Sequence, residues 1–230
     1  MRLVAATYNI HGCIGVDRRA DHARIVRVLR GLAADVIALQ EVDSYHHQGT
    51  WRGHLDYFAE QTGLRAVAGP TLTRATGDYG NGILTRLDVR STRRIEIGVP
   101  GREPRAVLEV VLVGPKGPLR IVATHLGLGA EERRVQSATI CDLVRESAEM
   151  PVVVMGDFNE WLSFAGSLRE IERAMGRGRA VPSFPSVFPI LALDRIWVRP
   201  AGALLTIGAV RRGEARYASD HLPVRAVVQL

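Results

Sequence analysis

A short apolar run that ends in polar residues constrains this chain more than any other part of its sequence. Residues 152–156 (VVVMG) are almost wholly apolar, which is typical of a strand buried on both faces of a sheet. The run ends in Asp157, Phe158 and Asn159. Functional sites of open α/β sheets lie outside the carboxyl ends of such strands. The alternative is that Asp157 and Asn159 only form a turn and cap the next segment of the chain.

The first 41 residues predict a βαβ unit. Residues 3–8 are expected to form a strand that ends at Asn9, and residues 35–39 a second strand that ends just before Glu41. Between them, apolar residues at helical spacing predict a helix, with Asp17 as its capping residue. A crossover helix makes the two strands parallel, so Asn9 and Glu41 are expected at the same sheet edge.

The second half of the chain repeats this order. Residues 119–123 predict a strand that leads into His125, residues 131–147 a helix, and residues 152–156 the strand before Asp157. In both halves, 32 residues separate the polar residues that follow the two strands. We therefore expect two related βαβ halves that contribute to one cleft.

The other elements are predicted mainly as strands separated by Gly and Pro turns. A glycine-rich loop is expected through Gly77, Asp78, Tyr79 and Asn81, and a helix from Trp51 to Gln61. The remaining strands are predicted at 65–68, 83–85, 89–97, 105–113, 192–198, 203–210 and 222–229. Because no linker or low-complexity segment divides the chain, we expect a single domain over residues 1–230.

Composition narrows the class of protein. A hydrophobic fraction of 47% and a charged fraction of 23% are those of an ordinary globular protein. No apolar run approaches the roughly 20 residues of a membrane span. Met1 leads directly into the first strand, so we expect no signal peptide and a cytoplasmic location. Cys13 and Cys141 are too few for a disulfide framework and are expected to be buried as small hydrophobes.

The chain is basic, with a formal charge of +6 and a pI near 10.0. Its cationic residues are scattered arginines, and Lys116 is the only lysine. This bias is typical of GC-rich coding as much as of a binding surface. The charge is compatible with a phosphate-bearing or polyanionic substrate and does not specify one.

Eight polar residues need an explanation, because they lie at the ends of, or within, predicted core strands. They are Asn9, Glu41, His125, Asp157, Asn159, Asp194, Asp220 and His221. Several carboxylates in one partly buried cleft cost several kcal/mol unless a cation or protons compensate. Oxygen ligands without a dense cysteine or histidine set favour Mg²⁺, with Mn²⁺ as an alternative, and such sites handle phosphate oxygens.

The histidines and the motifs that are absent point to one type of chemistry. A histidine beside the cleft can donate to a phosphoryl oxygen as negative charge develops, and a neighbouring acid can raise its pKa. The sequence contains no P-loop and no GxSxG elbow, and neither cysteine is placed beside a histidine or an acid in a way that suggests a thiol nucleophile. An activated water is therefore the expected nucleophile.

Seven short segments carry the polar residues and their flanking strands. They are YNIHG (8–12), LQEV (39–42), GNGILT (80–85), THLG (124–127), GDFN (156–159), LDRIWV (193–198) and SDHLPV (219–224). In this order they resemble the endonuclease/exonuclease/phosphatase superfamily, and the resemblance runs from about Ala5 to Val228. This group includes pancreatic deoxyribonuclease, apurinic-site endonucleases, bacterial sphingomyelinases and inositol polyphosphate 5-phosphatases. The set of motifs is specific because each falls in a suitable structural context.

The resemblance implies an α/β fold, a four-layer sandwich of two packed mixed β-sheets flanked by helices, with the site at one end. It also implies roles for residues that match the motifs. Glu41 is expected to bind Mg²⁺, with Asn9 close to the metal and Asp220 as a second carboxylate on the metal side. Asp157 is expected to orient or deprotonate the attacking water, and Asn159 to hold that water or a phosphoryl oxygen.

The remaining roles implied by the resemblance concern the phosphate. His221 is expected to contact the scissile phosphate, with Asp194 hydrogen-bonded to it, and His125 to donate to the phosphate or carry a proton. Asn81 and Arg105 are expected in the phosphate pocket; for Arg105, a purely structural position on a strand surface is an equal alternative.

The expected function is hydrolysis of a phosphoester, most simply a phosphodiester in a nucleic acid, a lipid headgroup or a small molecule. Nuclease activity is one option, although the connections are short; a lipid phosphodiesterase resembling sphingomyelinase and a non-catalytic phosphate-binding module are alternatives. Aromatic and histidine side chains after strand ends are available to contact substrate, although packing under loops is their default role. They are Tyr45, His46, His47, Trp51, Trp161 and Phe164.

Overall fold

The computed structural model of the protein describes residues 2–43, 53–75, 77–146 and 150–230. Four α-helices are found there: α1 (His22–Leu32), α2 (His54–Thr62), α3 (Ala130–Arg145) and α4 (Gly166–Met175). The strands are β1 (Arg2–Asn9), β2 (Val36–Asp43), β3 (Arg65–Arg74), β4 (Gly77–Thr85), β5 (Asp88–Glu96), β6 (Ala106–Gly114), β7 (Gly117–His125), β8 (Val152–Asp157), β9 (Asp194–Arg199), β10 (Leu204–Ala209) and β11 (Val224–Gln229). No helix among the described residues is long and apolar enough to cross a membrane.

The strands form two mixed sheets. The first has the order β10-β11-β1-β2-β4-β3 and the second the order β5-β6-β7-β8-β9. Each sheet contains one parallel pair, β1 with β2 and β7 with β8, and each pair is connected through a helix. The predicted α/β class and the two βαβ halves are confirmed.

Successive side chains along each strand point to opposite faces of the sheet, and this alternation creates the layers. In β1 and β2, Ala5 and Val36 point between the sheets, whereas Ala6 and Ile37 point outward against α1. In β8, Val153 faces the other sheet and Val154 faces the cluster that includes α3 and α4. Strands buried on both faces read as continuous apolar runs, which is the pattern seen in the sequence.

The predicted loop through Gly77, Tyr79 and Asn81 is wrong, because these residues belong to β4, which pairs with β3. Glycines suggested a loop by composition, but at Gly80 a Cβ atom would overlap the backbone of Thr71. The pairing shifts by a residue between Pro70 and Leu72 at this point. The glycine therefore permits close strand approach at a bulge rather than ending the strand.

The predicted cap of α1 is also wrong. The N-cap is Asp21, whose Oδ1 accepts the backbone N–H of Arg24 at 2.8 Å. Asp17 instead pairs with the Arg24 guanidinium, with Nη1 and Oδ2 2.9 Å apart. For the second helix, the described residues begin at Gly53 and α2 begins at His54, so Trp51 lies outside them.

Candidate active site

The two βαβ halves meet at the carboxyl ends of their parallel strands. In the first sheet Asn9 pairs with Gln40, next to Glu41, and in the second sheet His125 pairs with Asp157. Asn9 joins the two sheets directly. Its Nδ2 donates to Glu41 Oε1 at 2.8 Å and to Asp157 Oδ2 at 3.0 Å.

Neighbouring groups fix the orientation of Asn9. The backbone N–H of His11 donates to Asn9 Oδ1 at 3.0 Å, and the hydroxyl of Ser219 donates to the Asn9 carbonyl at 2.8 Å. The amide oxygen thus accepts a bond, so its nitrogen faces the two carboxylates. Ser219 also accepts the backbone N–H of His221 at 3.1 Å, which ties the loop before β11 to the end of β1.

Asp157 is the centre of the arrangement and is only 1% exposed. Its Oδ1 accepts the backbone N–H of Asn159 at 2.9 Å, in a turn where Asn159 adopts a left-handed conformation with φ 49°. Its Oδ2 lies 3.6 Å from His125 Nε2 and 3.7 Å from His221 Nε2. Both distances exceed that of a direct hydrogen bond. The imidazoles of His125 and His221 therefore lie close to the Asp157 carboxylate without a direct hydrogen bond to it.

His221 is held by Asp194 in the first strand position of β9. His221 Nδ1 lies 2.8 Å from Asp194 Oδ2, and the Ser183 hydroxyl donates to the same oxygen at 2.6 Å. Burial alone would lower the pKa of His221. The charge of Asp194, its hydrogen bond and the charges of Asp157 and Asp220 outweigh burial and raise that pKa to about 10. His221 is therefore an imidazolium at neutral pH.

His125 is held in the opposite state. Complete burial, with a smaller contribution from Arg105, lowers its pKa to about 3 although Asp157 opposes the shift. Arg105 Nη1 lies 3.0 Å from His125 Nδ1, and a guanidinium only donates. Nδ1 is thus the acceptor of this contact, and Nε2 is the ring atom that faces Asp157. The Asn159 amide, 3.1 Å from Nε2, donates to the Leu126 carbonyl at 2.9 Å.

Glu41 and Asp220 form the oxygen-rich side of the site. Burial, reinforced by the charge of Asp220, raises the pKa of Glu41, while the Asn9 hydrogen bond opposes this. Asp220 is half-buried, and its Oδ1 lies 3.6 Å from His11 Nδ1. One metal-compatible group among the described residues comprises Asp157, Asp194 and His221, whose ligand atoms lie within 4.8 Å of one another. Within this group His221 and Asp194 are hydrogen-bonded to each other beside Asp157.

The two residues predicted for a phosphate pocket have different surroundings. Arg105 is buried, its Nη1 contacts His125 and its Nη2 lies 3.3 Å from Glu103 Oε2, so it belongs to the group of polar side chains around His125 and Asp157. Asn81 is also buried, and its Nδ2 donates to the Ala106 carbonyl at 3.0 Å. This bond joins β4 of one sheet to β6 of the other, which is a structural contact.

Sequence reasoning missed three residues that shape the site. Ser183 donates to Asp194, Ser219 links Asn9 to His221, and the ring of Phe184 lies 4.9 Å from that of His221. Ser219 stands in the SDH motif beside residues that were assigned. Ser183 and Phe184 lie in a proline-rich stretch whose composition gave no sign of its contact with β9.

The predicted substrate-side aromatic residues divide into two groups. Tyr45, His46, His47 and Trp51 lie outside the described residues. Trp161 and Phe164 follow β8 and are 57% and 63% exposed, so the expectation that they pack under loops is wrong. In the same segment Glu160 and Leu168 are buried, Glu160 against Arg133 and Leu168 in the apolar cluster of α3 and α4.

Comparisons with known proteins agree with this architecture. The model of the Endonuclease/Exonuclease/phosphatase family matches residues 6–221. The chain is 30% identical over 241 residues to the protein YbhP of Escherichia coli K12, covering 97% of this chain and 95% of that protein.

Solved structures show the same fold at lower sequence identity. A protein of this family from Beutenbergia cavernae superposes with a TM-score of 0.79 and 22% identity, covering 100% of this chain and 72% of the other. A family protein from Bacteroides vulgatus superposes with a TM-score of 0.79 and 18% sequence identity, covering 100% of this chain and 99% of the other. A mannosyl-6-phosphatase from Bacteroides thetaiotaomicron superposes with a TM-score of 0.77 and 16% sequence identity, covering 98% of this chain and 99% of the other.

Proposed function

The chain belongs to the Endonuclease/Exonuclease/phosphatase family, whose members hydrolyse phosphoester bonds, and we propose that it is a Mg²⁺-dependent hydrolase of phosphodiesters. The observation that carries the proposal is the convergence on Asp157. A buried carboxylate faces the Nε2 atoms of a neutral imidazole and an imidazolium at 3.6 and 3.7 Å, and both distances are longer than a direct hydrogen bond to that carboxylate. This arrangement suits removal of a proton from water beside groups that donate to a developing oxyanion.

The oxygen donors of the site fit Mg²⁺. Glu41 and Asp220 present carboxylates on the side where Asn9 presents its amide, and Asp157 and Asp194 add negative charge nearby. The raised pKa of Glu41 indicates that its charge is incompletely compensated by protein groups. We propose that Glu41 and Asp220 hold the ion and that Asn9 orients Glu41. When bound, Mg²⁺, or Mn²⁺ in its place, neutralises charge on a phosphoryl oxygen.

The remaining residues act on water and phosphate. In this proposal Asp157 accepts the proton of the attacking water, and Asn9 and Asn159 hold its carboxylate in place. His221 donates from Nε2 to a phosphoryl oxygen, because Asp194 keeps it protonated. In the same proposal His125 donates from its own Nε2, while Arg105 donates to its Nδ1.

Hydrolysis of bis-p-nitrophenyl phosphate tests this function. Wild-type protein should release p-nitrophenolate with Mg²⁺ and stop in excess EDTA. Asp157→Asn should lower kcat by about 10²–10⁴-fold, the usual contribution of a general base. Asp88→Asn, in an exposed carboxylate on β5, serves as the control. Turnover in excess EDTA, or full activity of Asp157→Asn, would exclude the mechanism, and Mg²⁺ binding without turnover on a broad phosphoester panel would favour a binding module.

An exposed apolar rim favours a lipid phosphodiester as a second candidate substrate. Leu128 follows β7 and is 75% exposed, and Trp161 and Phe164 follow β8. The Arg133 side chain ties these two segments together by donating to the Leu128 carbonyl and to Glu160. Exposed apolar side chains beside a site are typical of membrane or ligand contact.

Vesicle assays separate this candidate from nuclease activity. On phosphatidylcholine vesicles, the double change Trp161→Ser and Phe164→Ser should reduce headgroup release about 10-fold or more while hydrolysis of bis-p-nitrophenyl phosphate is unchanged, because only apolar anchoring is lost. Cleavage of plasmid or abasic DNA without headgroup release would instead identify a nuclease.

A further inference from the structure

A second cluster of metal-binding side chains lies outside the candidate active site. Cys13, His22 and His54 each offer a ligand atom, and these atoms lie within 4.8 Å of one another. Cys13 Sγ is 3.9 Å from His54 Nδ1, and His54 Nε2 is 2.7 Å from His22 Nε2. Cys13 is buried and the two histidines are half-buried.

The fold brings these residues together from three separate segments. Cys13 ends the short turn after β1, His22 is the first residue of α1, and His54 is the first residue of α2. His22 and His54 also line a cavity of about 850 Å³, together with Asp17, Asp21 and Tyr57. A ligand held by the three side chains therefore has access to solvent space on one side.

The donor set differs in kind from that of the active site. One sulfur and two imidazole nitrogens suit Zn²⁺ and similar borderline-soft cations, whereas Mg²⁺ requires oxygen ligands. Three protein ligands leave a fourth tetrahedral position, and the cavity beside His22 and His54 provides room for it. We propose that Cys13, His22 and His54 form a binding site for a divalent transition-metal ion of the Zn²⁺ type, with its open position toward this cavity.

The protonation chemistry of the three groups is compatible with coordination. Burial lowers the pKa of His54 to about 4 and also lowers that of His22, so both imidazoles are neutral ligands. Burial raises the pKa of the Cys13 thiol to about 12. Binding therefore breaks the S–H bond, forms a sulfur–metal bond and releases one proton to solvent, with no change of oxidation state.

Without a metal, the same atoms form a hydrogen-bonded chain. In the tautomer in which the Cys13 thiol donates to His54 Nδ1, the His54 proton lies on Nε2 and points to His22 Nε2. A metal replaces this chain by drawing the ligand atoms to metal–nitrogen distances of about 2.0–2.1 Å and a metal–sulfur distance of about 2.3 Å. The two states predict different spectra and different effects of substitution.

The site has a structural consequence for the active site, although its existence does not rest on the proposed function. His11, Gly12 and Cys13 all adopt left-handed conformations, with φ values of 48°, 55° and 66°. The first of these residues donates its backbone N–H to Asn9 Oδ1. A metal bound to Cys13 therefore anchors the turn that orients Asn9.

Cobalt titration tests the site with the full-length chain. Protein stripped of transition metals is titrated with Co²⁺ in a buffer with excess Mg²⁺. The Mg²⁺ occupies sites made of oxygen ligands. We expect a thiolate-to-cobalt charge-transfer band that saturates at one equivalent, together with the visible bands of a four-coordinate ion. Zn²⁺ should abolish both. Cys141→Ser should keep the band and Cys13→Ser should lose it.

A second variant covers failure of Cys13→Ser to fold. His22→Asn changes a half-buried side chain and should weaken Zn²⁺ binding by more than roughly 10-fold in competition with a chelating dye. The proposal is overturned if folded wild-type protein gives no charge-transfer band, if the band survives in folded Cys13→Ser, or if His22→Asn binds Zn²⁺ like the wild type. The first result would identify the cluster as the hydrogen-bonded chain alone.

Discussion

His125 and His221 face the same oxygen of Asp157, the first as a neutral imidazole and the second as a cation. Both rings are buried, so burial disfavours the charged form of each. The difference arises from their partners, because His221 bonds to the carboxylate of Asp194 whereas His125 contacts the guanidinium of Arg105. Environments that shift the pKa values of two titratable groups in opposite directions are typical of catalytic sites. In such sites one residue donates as a cation and the other as a neutral hydrogen-bond donor.

The lowered pKa of His125 predicts a pH dependence of stability. Unfolded His125 takes up a proton below its ordinary pKa of 6.5, whereas the folded residue stays neutral until about 3. Within this window the unfolded state binds more protons. This group therefore reduces the free energy of unfolding as pH falls, by about 1.4 kcal/mol per pH unit. Above pH 6.5 it contributes nothing to the pH dependence.

Urea denaturation of wild type and His125→Asn, at several pH values between about 4 and 7, measures this contribution. The variant should lose stability less steeply on acidification, because it lacks the group that only the unfolded chain protonates. The comparison uses the slope of unfolding free energy against pH, so a constant offset from the substitution does not matter. Equal slopes would contradict neutral burial of His125.

At the scale of elements, the parallel pairing of β7 with β8 places His125 opposite Asp157. One step before this pair, Thr124 lies opposite Gly156, where a Cβ atom would overlap the Thr124 carbonyl oxygen. The close approach of the two backbones thus requires glycine. This close approach at Gly156 sets the register of the next pair, His125 with Asp157. The alignment of the site therefore depends on a residue without a side chain.

Gly156→Ala should therefore destabilise the protein by more than about 3 kcal/mol and reduce phosphodiesterase activity, because the overlapping atom is backbone and cannot rotate away. Gly166→Ala is the matched control, since nothing lies within 4 Å of a Cβ atom there. It should change the free energy of unfolding by less than about 1 kcal/mol. Equal effects of the two changes in urea denaturation would disprove the packing argument.

At the scale of the whole molecule, the site exists only where the two sheets meet. Asn9 and Glu41 come from the first sheet, and Asp157 and Asp194 from the second. The apolar layer between the sheets, which includes Ala5 and Met155, fixes their separation. Carboxylates from both sheets are thus held at one edge, where a bound cation reduces their mutual repulsion.

Mg²⁺ should therefore stabilise the folded protein. A ligand that binds only the native state adds about 2.7 kcal/mol at a concentration one hundred times its Kd, so the Tm should rise with Mg²⁺ concentration. Glu41→Gln should abolish most of this rise. Glu96→Gln, at an exposed carboxylate at the end of β5, should retain it. An unchanged Mg²⁺ response in thermal melts of Glu41→Gln would remove Glu41 from the proposed metal site.

Local sequence patterns specify the layers of the fold and the sheet edge on which the candidate site lies. Apolar runs such as residues 152–156 encode strands buried on both faces, and the strand–helix–strand order encodes parallel pairs. These local patterns place Asn9 and Glu41 at one edge, and His125 and Asp157 likewise. Periodicity and connection rules suffice for this because they act within one sheet.

Which polar atoms meet depends on how the two sheets and their loops pack together. The bond from Asn9 to Asp157 crosses between sheets, and Ser183 reaches Asp194 from a proline-rich segment without regular structure. The opposite charge states of His125 and His221, and the approach of Cys13 to His54, likewise depend on side chains distant in sequence. Local patterns encode burial and direction, whereas the packing of the two sheets and their loops sets the distances on which hydrogen bonds, pKa values and metal binding depend.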